Sequence, residues 1–186
     1  MDMKKYFILV SFFAALFVTS CSPYTDEEPG GTAVQDLCGT WTVTIEASIG
    51  EYLGTKDLGA MTKTELDAVD DWADLYGTGT TAFRTYNTAN NDKDSIWFDD
   101  SYFWKEKFKI GCNYSNLTFQ ADSVPAISGD GCEATLRYGQ VLKGAATTPR
   151  GQKADSVIVY VFYSDDDYGF TYKFSGYRYT GFTDDL

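Results

Sequence analysis

From Gly39 onward the chain alternates apolar and polar residues with a period of two, interrupted by clusters of Gly, Asn, Asp and Ser. Successive side chains of an extended strand point to opposite faces, so this pattern predicts strands joined by tight turns. In 39–47, Trp41, Val43, Ile45 and Ala47 share one face, while the threonines and Glu46 share the other. Further strands are expected over 81–88, 95–98, 103–112, 117–127, from 132 onward, 155–163 and 169–174, with a closing run at 176–182. Residues 144–151 read as a glycine-rich loop. About eight antiparallel strands at hairpin spacing make an all-β barrel or sandwich.

Two stretches depart from simple alternation. Thr62-Lys63-Thr64-Glu65 has the form of a capping box. Leu66, Val69, Trp72, Ala73 and Tyr76 follow at helical spacing and Gly77 stands as a stop, predicting one short inserted helix over 62–76. Such a helix either crosses one end of a barrel or covers an open sheet edge. In Val157–Tyr163 both faces are apolar, the valines on one and Ile158, Tyr160 and Phe162 on the other. An antiparallel strand normally keeps one face polar. Its second face therefore either packs on the helix or lines an apolar lumen.

The N-terminus has a different logic. Lys4 and Lys5 precede an almost purely apolar run from Tyr6 to Val18, too short for the roughly 20 residues that span a bilayer. It closes on Val18-Thr19-Ser20-Cys21, which resembles a bacterial lipobox. That resemblance implies a signal peptide at 1–20, acylation of Cys21, and a membrane anchor through its acyl chains. Residues 21–36 read as a polar, acidic, Pro- and Gly-broken tether, and 37–186 as a single domain. Asp26-Glu27-Glu28 resembles a surface-export signal or is simply a solvated linker. The expected location is an outer membrane, on its cell-surface or periplasmic side.

Charge and composition narrow the function. The net charge is −12, and removing Asp2, Lys4 and Lys5 with the signal leaves −13. That sign disfavours nucleic acid and electrostatic attraction to anionic lipid. There is no histidine, which removes the commonest general base and metal ligand and every Ser-His or Cys-His pair. With Cys21 acylated, Cys38, Cys112 and Cys132 remain. In a meander Cys112 and Cys132 fall at opposite ends of strands two apart, about 30 Å from one another at ~3.3 Å per residue, too far for a disulfide. No pattern calls for a metal or a cofactor, and oligomeric state is not encoded in any motif.

Several segments are familiar together. Leu37-Cys38-Gly39-Thr40-Trp41, Tyr86 to Asn91, Ser95 to Asp100, Phe103-Trp104 and Ser175 to Phe182 resemble, in order, a Bacteroidetes lipoprotein family described as lipid-binding putative hydrolases. The resemblance implies a calycin-like, lipocalin-like barrel, the architecture of small-ligand carriers. Residues 55–78 fit it worst. It also implies that Gly39, Trp41 and Arg178 close the barrel base, with Arg178 stacked on the indole for ~0.5–2 kcal/mol.

Of 31 aromatic residues, five leave with the signal and 26 remain. Most serve a core, and those in excess suit an apolar ligand pocket. Trp97, Phe103, Trp104, Tyr160, Phe162, Tyr172 and Phe174 are the candidate ligand-binding residues. Buried, they would hold a hydrophobic or amphipathic small ligand; exposed, they would form a platform for sugar rings. A carboxylate-dependent hydrolase, with acids drawn from Glu46, Glu106 and Glu133, is a third reading. No Gly-x-Ser-x-Gly elbow supports a serine hydrolase. Asp165-Asp166-Asp167 and Asp92-x-Asp94 read as turns rather than calcium loops. A side-chain-filled barrel that binds nothing is the fourth.

Overall fold

A computed structural model describes residues 31–100 and 102–183. The signal segment 1–20, Cys21 and the tether to residue 30 lie outside the described residues. Nine strands form one antiparallel sheet: β1 (Gly39–Ser48), β2 (Trp72–Ala73), β3 (Thr80–Asn87), β4 (Ser95–Asp100), β5 (Glu106–Asn113), β6 (Thr118–Pro125), β7 (Glu133–Thr147), β8 (Lys153–Tyr163) and β9 (Thr171–Arg178). All but β2 pair with their sequence neighbours in order, and β1 also pairs with β9, from Trp41↔Arg178 to Ala47↔Tyr172. The sheet thus closes as an eight-stranded barrel. The small β2 extends the β1 edge beyond the point where β3 ends.

Closure requires intimate contact at the β1–β9 seam. Gly176 lies opposite Val43 there, and a Cβ on it would stand 2.7 Å from Val43 Cα. Only glycine permits that approach. The inward faces follow the alternation: Trp41, Val43, Ile45 and Ala47 on β1, Ile96 and Phe98 on β4, Val157, Val159, Val161 and Tyr163 on β8, and Tyr172 and Phe174 on β9 are all buried. Each such burial is worth about 1.5–3 kcal/mol.

Three boundaries differ from the expected ones. The barrel unit begins at Thr32 rather than residue 37, because Val34 is fully buried beside a 3₁₀ turn at Gln35–Leu37. β7 runs through Gly144, whose φ of +61° accommodates a register shift between Leu142 and Ala146, so the loop shrinks to the turn after Thr147. The inserted helix is also shorter than its spacing suggests. The first connection holds α1 (Ile49–Tyr52) and α2 (Lys63–Asp67). The capping box at Thr62 and Glu65 is formed, yet the helix stops after one turn. Beyond it Trp72 pairs with Ser48, and the Asp71 carboxylate accepts from Ser48 Oγ and Gly50 N–H, each at 2.8 Å. These contacts hold the chain extended where the periodicity alone reads helical.

α2 covers the outer face of β8. Leu66 and Leu58 bury against Tyr160, Trp72 stacks near it at 5.7 Å, and Tyr160 Oη donates to Asp67 Oδ1 at 3.0 Å. The doubly apolar β8 is therefore explained by packing on both sides.

Candidate functional site

The two ends of the barrel differ. At the base, Arg178 lies over the Trp41 indole with its guanidinium carbon 4.3 Å from the ring centroid. Its other contacts engage all three nitrogens: Nη2 donates to Asp36 O at 2.7 Å, Nη1 donates to Cys38 O, and Nε donates to Asp155 at 3.1 Å. A Cβ at position 39 would collide with Arg178 Nη1, so Gly39 makes room for the guanidinium. Lys143 bridges Asp36 and Asp155 beside it. The bond from Lys143 is the largest cause holding the Asp36 carboxyl below its ordinary pKa. This end is closed by charge and cation–π contact.

A column of rings rises from that base. Trp41 meets Phe83 at 6.4 Å, Phe83 meets Phe98 and Phe174, and Phe174 meets Phe103 at 6.0 Å. Phe103 meets Tyr172 at 5.0 Å, and Trp104 stacks flat on Tyr163 at 4.6 Å. The lumen is occupied by its own side chains. The column then leaves the barrel at the opposite end, here the mouth. Tyr76 contacts Phe103 and Tyr172, Phe170 contacts Tyr172, and Tyr52 and Tyr168 contact Phe170.

One buried acid organises the mouth. Asp100, with no exposed surface, accepts from Phe103 N–H at 3.1 Å, Trp104 N–H at 3.2 Å and Tyr163 Oη at 2.5 Å. These bonds fix the turn that inserts Phe103 and Trp104 between the strands. Burial raises the Asp100 pKa to about 6, although the three hydrogen bonds oppose the shift. Trp104 Nε1 donates to Asp165 at 2.7 Å, and Tyr172 Oη sits between Tyr76 Oη at 3.0 Å and Asp166 at 2.9 Å.

The rim beyond these rings is apolar. Among the described residues ten large hydrophobics are exposed, and eight of them stand on connections at the mouth. Ile49, Tyr52, Leu53, Leu75 and Tyr76 come from the first connection, Tyr102 from β4–β5, Ile127 from β6–β7, and Tyr168 from β8–β9. Tyr168 is 65% exposed and Tyr52 59%.

The seven aromatic candidates divide by face. Phe103, Trp104, Tyr172 and Phe174 join the column at or below the mouth. Trp97, Tyr160 and Phe162 do not, since they alternate with the inward residues Phe98, Val161 and Tyr163 and face outward. Of these, Tyr160 is buried beneath α2. Asp100, Tyr76, Tyr163 and Phe170 complete the mouth, and none stands out in the sequence, because long-range pairing brings them together.

The candidate acids occupy structural places. Glu46 pairs with Lys173 at 2.9 Å on the outer wall, and Glu133 accepts from Ser123 Oγ at the start of β7. Glu106 lies opposite Asp100 in the β4–β5 ladder. Asp166 accepts from Phe170 N–H, and Asp92 from Thr88, Ser95 and Lys109, which is turn chemistry. Among the described residues no group of three or more His, Cys, Asp or Glu could hold a metal ion. Cys38, Cys112 and Cys132 are free thiols.

The profile of a family described as lipid-binding putative hydrolase matches residues 26–183, most of the chain and the whole closed sheet. The chain belongs to this family. A search of curated proteins gives no match. Lipid binding is the property named in the family's description, and this member has an eight-stranded barrel. No helix among the described residues is long and apolar enough to cross a membrane.

Proposed function

We propose that this member of the family binds a single-chain amphipathic lipid non-covalently at the barrel mouth. One observation carries the reading: the exposed Tyr52, Tyr76 and Tyr168 gather at the mouth and are continuous, ring to ring, with the buried column. The packed lumen leaves the acyl chain to lie across the exposed rings of Tyr52, Tyr76 and Tyr168, with its polar end toward solvent. Tyrosines suit such a boundary, being apolar in body and polar at the tip. The family's lipid-binding description supports the same class of ligand.

Native mass spectrometry of the full chain purified without detergent is the test. We expect a co-purified or added lysolipid or fatty acid to remain bound, and Tyr76→Ala with Tyr168→Ala to remove it without lowering the melting temperature by more than a few degrees. A bare mass after incubation with both lipids overturns the reading. A second reading is favoured by the exposed Tyr168 ring stacked on Phe170 at 5.3 Å, an aromatic face of the kind that holds sugar rings. Retention of oligosaccharides in place of lipids selects it.

The lipobox-like Val18-Thr19-Ser20-Cys21 supports anchoring at an outer membrane through acylated Cys21. Ala33 N–H donates to Asn91 Oδ1 in the β3–β4 turn, so the described chain starts at the base. Cys21→Ser is expected to move the protein from the membrane fraction to the soluble one; continued membrane fractionation rules the anchor out.

A further inference from the structure

The two ends of the barrel also differ in charge. The connections at the mouth, 49–79, 101–105, 126–132 and 164–170, hold eleven acids and three lysines. Those at the base, 32–38, 88–94, 114–117, 148–152 and 179–183, hold three acids and two basic residues. Pairing does not cancel the excess at the mouth. Lys56 pairs with Asp70 and Asp71, and Lys63 with Asp67, which leaves Lys105 as the remaining mouth lysine. Among the described residues no lysine or arginine pairs with Asp74, Asp130, Asp165, Asp166 or Asp167.

The unpaired charge stands beside the exposed rings. Asp166 Oδ1 accepts from Tyr168 N–H at 3.2 Å, and its Oδ2 accepts from Phe170 N–H and Tyr172 Oη, each at 2.9 Å. Asp74, two residues before Tyr76, accepts from Thr78 N–H at 2.9 Å and Gly79 N–H at 2.7 Å. The bond from Gly79 is the largest cause holding the Asp74 carboxyl below its ordinary pKa. Neutral donors thus occupy the oxygens of both acids and leave their charges standing. A primary ammonium, with three donors to satisfy, finds few free acceptors there. A quaternary ammonium needs none, because it is held by the field of the acids and by aromatic faces. Tyr168 stacks on Phe170 and is otherwise largely exposed, next to the exposed Asp167.

We propose, on the footing of lipid binding at the mouth, that the bound lipid carries a quaternary ammonium head group, seated on the exposed Tyr168 ring with Asp166 and Asp167 beside it. The acids set the sign of the field, and the ring supplies the contact. The alkyl chain runs toward Tyr52 and Tyr76. An alkyltrimethylammonium and a phosphocholine share that chemistry.

The test is a titration of the ¹⁵N-labelled full chain with decyltrimethylammonium, decylphosphocholine, decanoate and decanol, each below micelle formation, followed at the amides of 51–53, 76–79 and 166–170. We expect one or both quaternary probes to bind about tenfold more tightly than decanoate or decanol at low salt. The advantage should narrow at about 1 M salt, where charges are screened within about 3 Å. The probe that is preferred tells whether a phosphate beside the ammonium is accepted. Asp167→Lys, at an exposed position, should weaken the quaternary probes about fivefold and strengthen decanoate. Decanoate or decanol binding as tightly as both quaternary probes overturns the proposal and leaves lipid binding at the mouth standing. An equal effect of Asp167→Lys on cationic and anionic probes overturns it in the same way. If no probe moves these amides, both the head group and the mouth site are overturned.

Discussion

Trp41 and Arg178 are direct partners across the seam that closes the barrel, and the guanidinium folds back to lie 4.3 Å from the indole centroid. The same side chain holds the carbonyls of Asp36 and Cys38 and the Asp155 carboxylate. One residue thus ties the last strand, the first strand and the N-terminal turn. Arg178→Ala should cost about 2–4 kcal/mol, because it leaves Asp155 and two carbonyls short of a donor. Trp41→Ala should cost about 3–5 kcal/mol through the cavity it opens. Urea denaturation measures both, and lipid binding at the far end should survive in each. Unchanged midpoints would deny the base its closing role.

Gly176 makes the seam possible, and Gly176→Ala should destabilise by several kcal/mol, since the methyl group would press on Thr42 and Val43 backbone that cannot move without breaking the β1–β9 ladder. A thermal melt within two degrees of the parent would mean the seam is looser than the contacts require.

Asp100 predicts a pH dependence of unusual sign for a carboxylate. Its pKa rises from 3.8 to about 6 on folding, so between those values the folded state holds more protons than the unfolded one. Below that window both states are protonated, and above it both are ionised. Stability from this group is therefore greatest in acid and falls as pH rises from about 4 to about 6, by up to about 3 kcal/mol. Asp100→Asn lacks the titration. Its stability relative to the parent should improve by that amount between pH 4 and pH 7, read by denaturation at both values. A difference that does not vary with pH would sink the assignment.

The three free thiols should be sluggish. Burial pushes Cys132 up to about 12 and Cys112 up to about 11, and raises Cys38 as well. Only the thiolate reacts. Iodoacetamide at pH 8 should label the native described domain far more slowly than the urea-unfolded chain, and fast native labelling at any of the three would contradict the burial.

Much of the barrel is legible from alternation alone. Trp41, Val43, Ile45 and Ala47 read as one face and are one buried face. The turn at Asn90–Asp94 and the capping box at Thr62 are equally local, since each depends on hydrogen bonds within four residues. The extent of α2 is not local. Trp72 and Tyr76 keep helical spacing, but pairing of Trp72 with Ser48 and the bond from Tyr76 to Tyr172 draw them away from the helix. Nor could Tyr160 and Phe162 be told from lumen residues, because an apolar side chain satisfies either a lumen or the underside of α2.

Local order, read as a period of two, determined that this chain makes about eight antiparallel strands, where most of them turn, and that no histidine chemistry is available. Tertiary structure decided which face of each strand looks inward, because a period carries no sign until the sheet closes. It also decided the site. Asp100 meets Tyr163 across 63 residues and Tyr76 meets Tyr172 across 96, and contacts of that span follow from barrel closure rather than from any neighbouring residue.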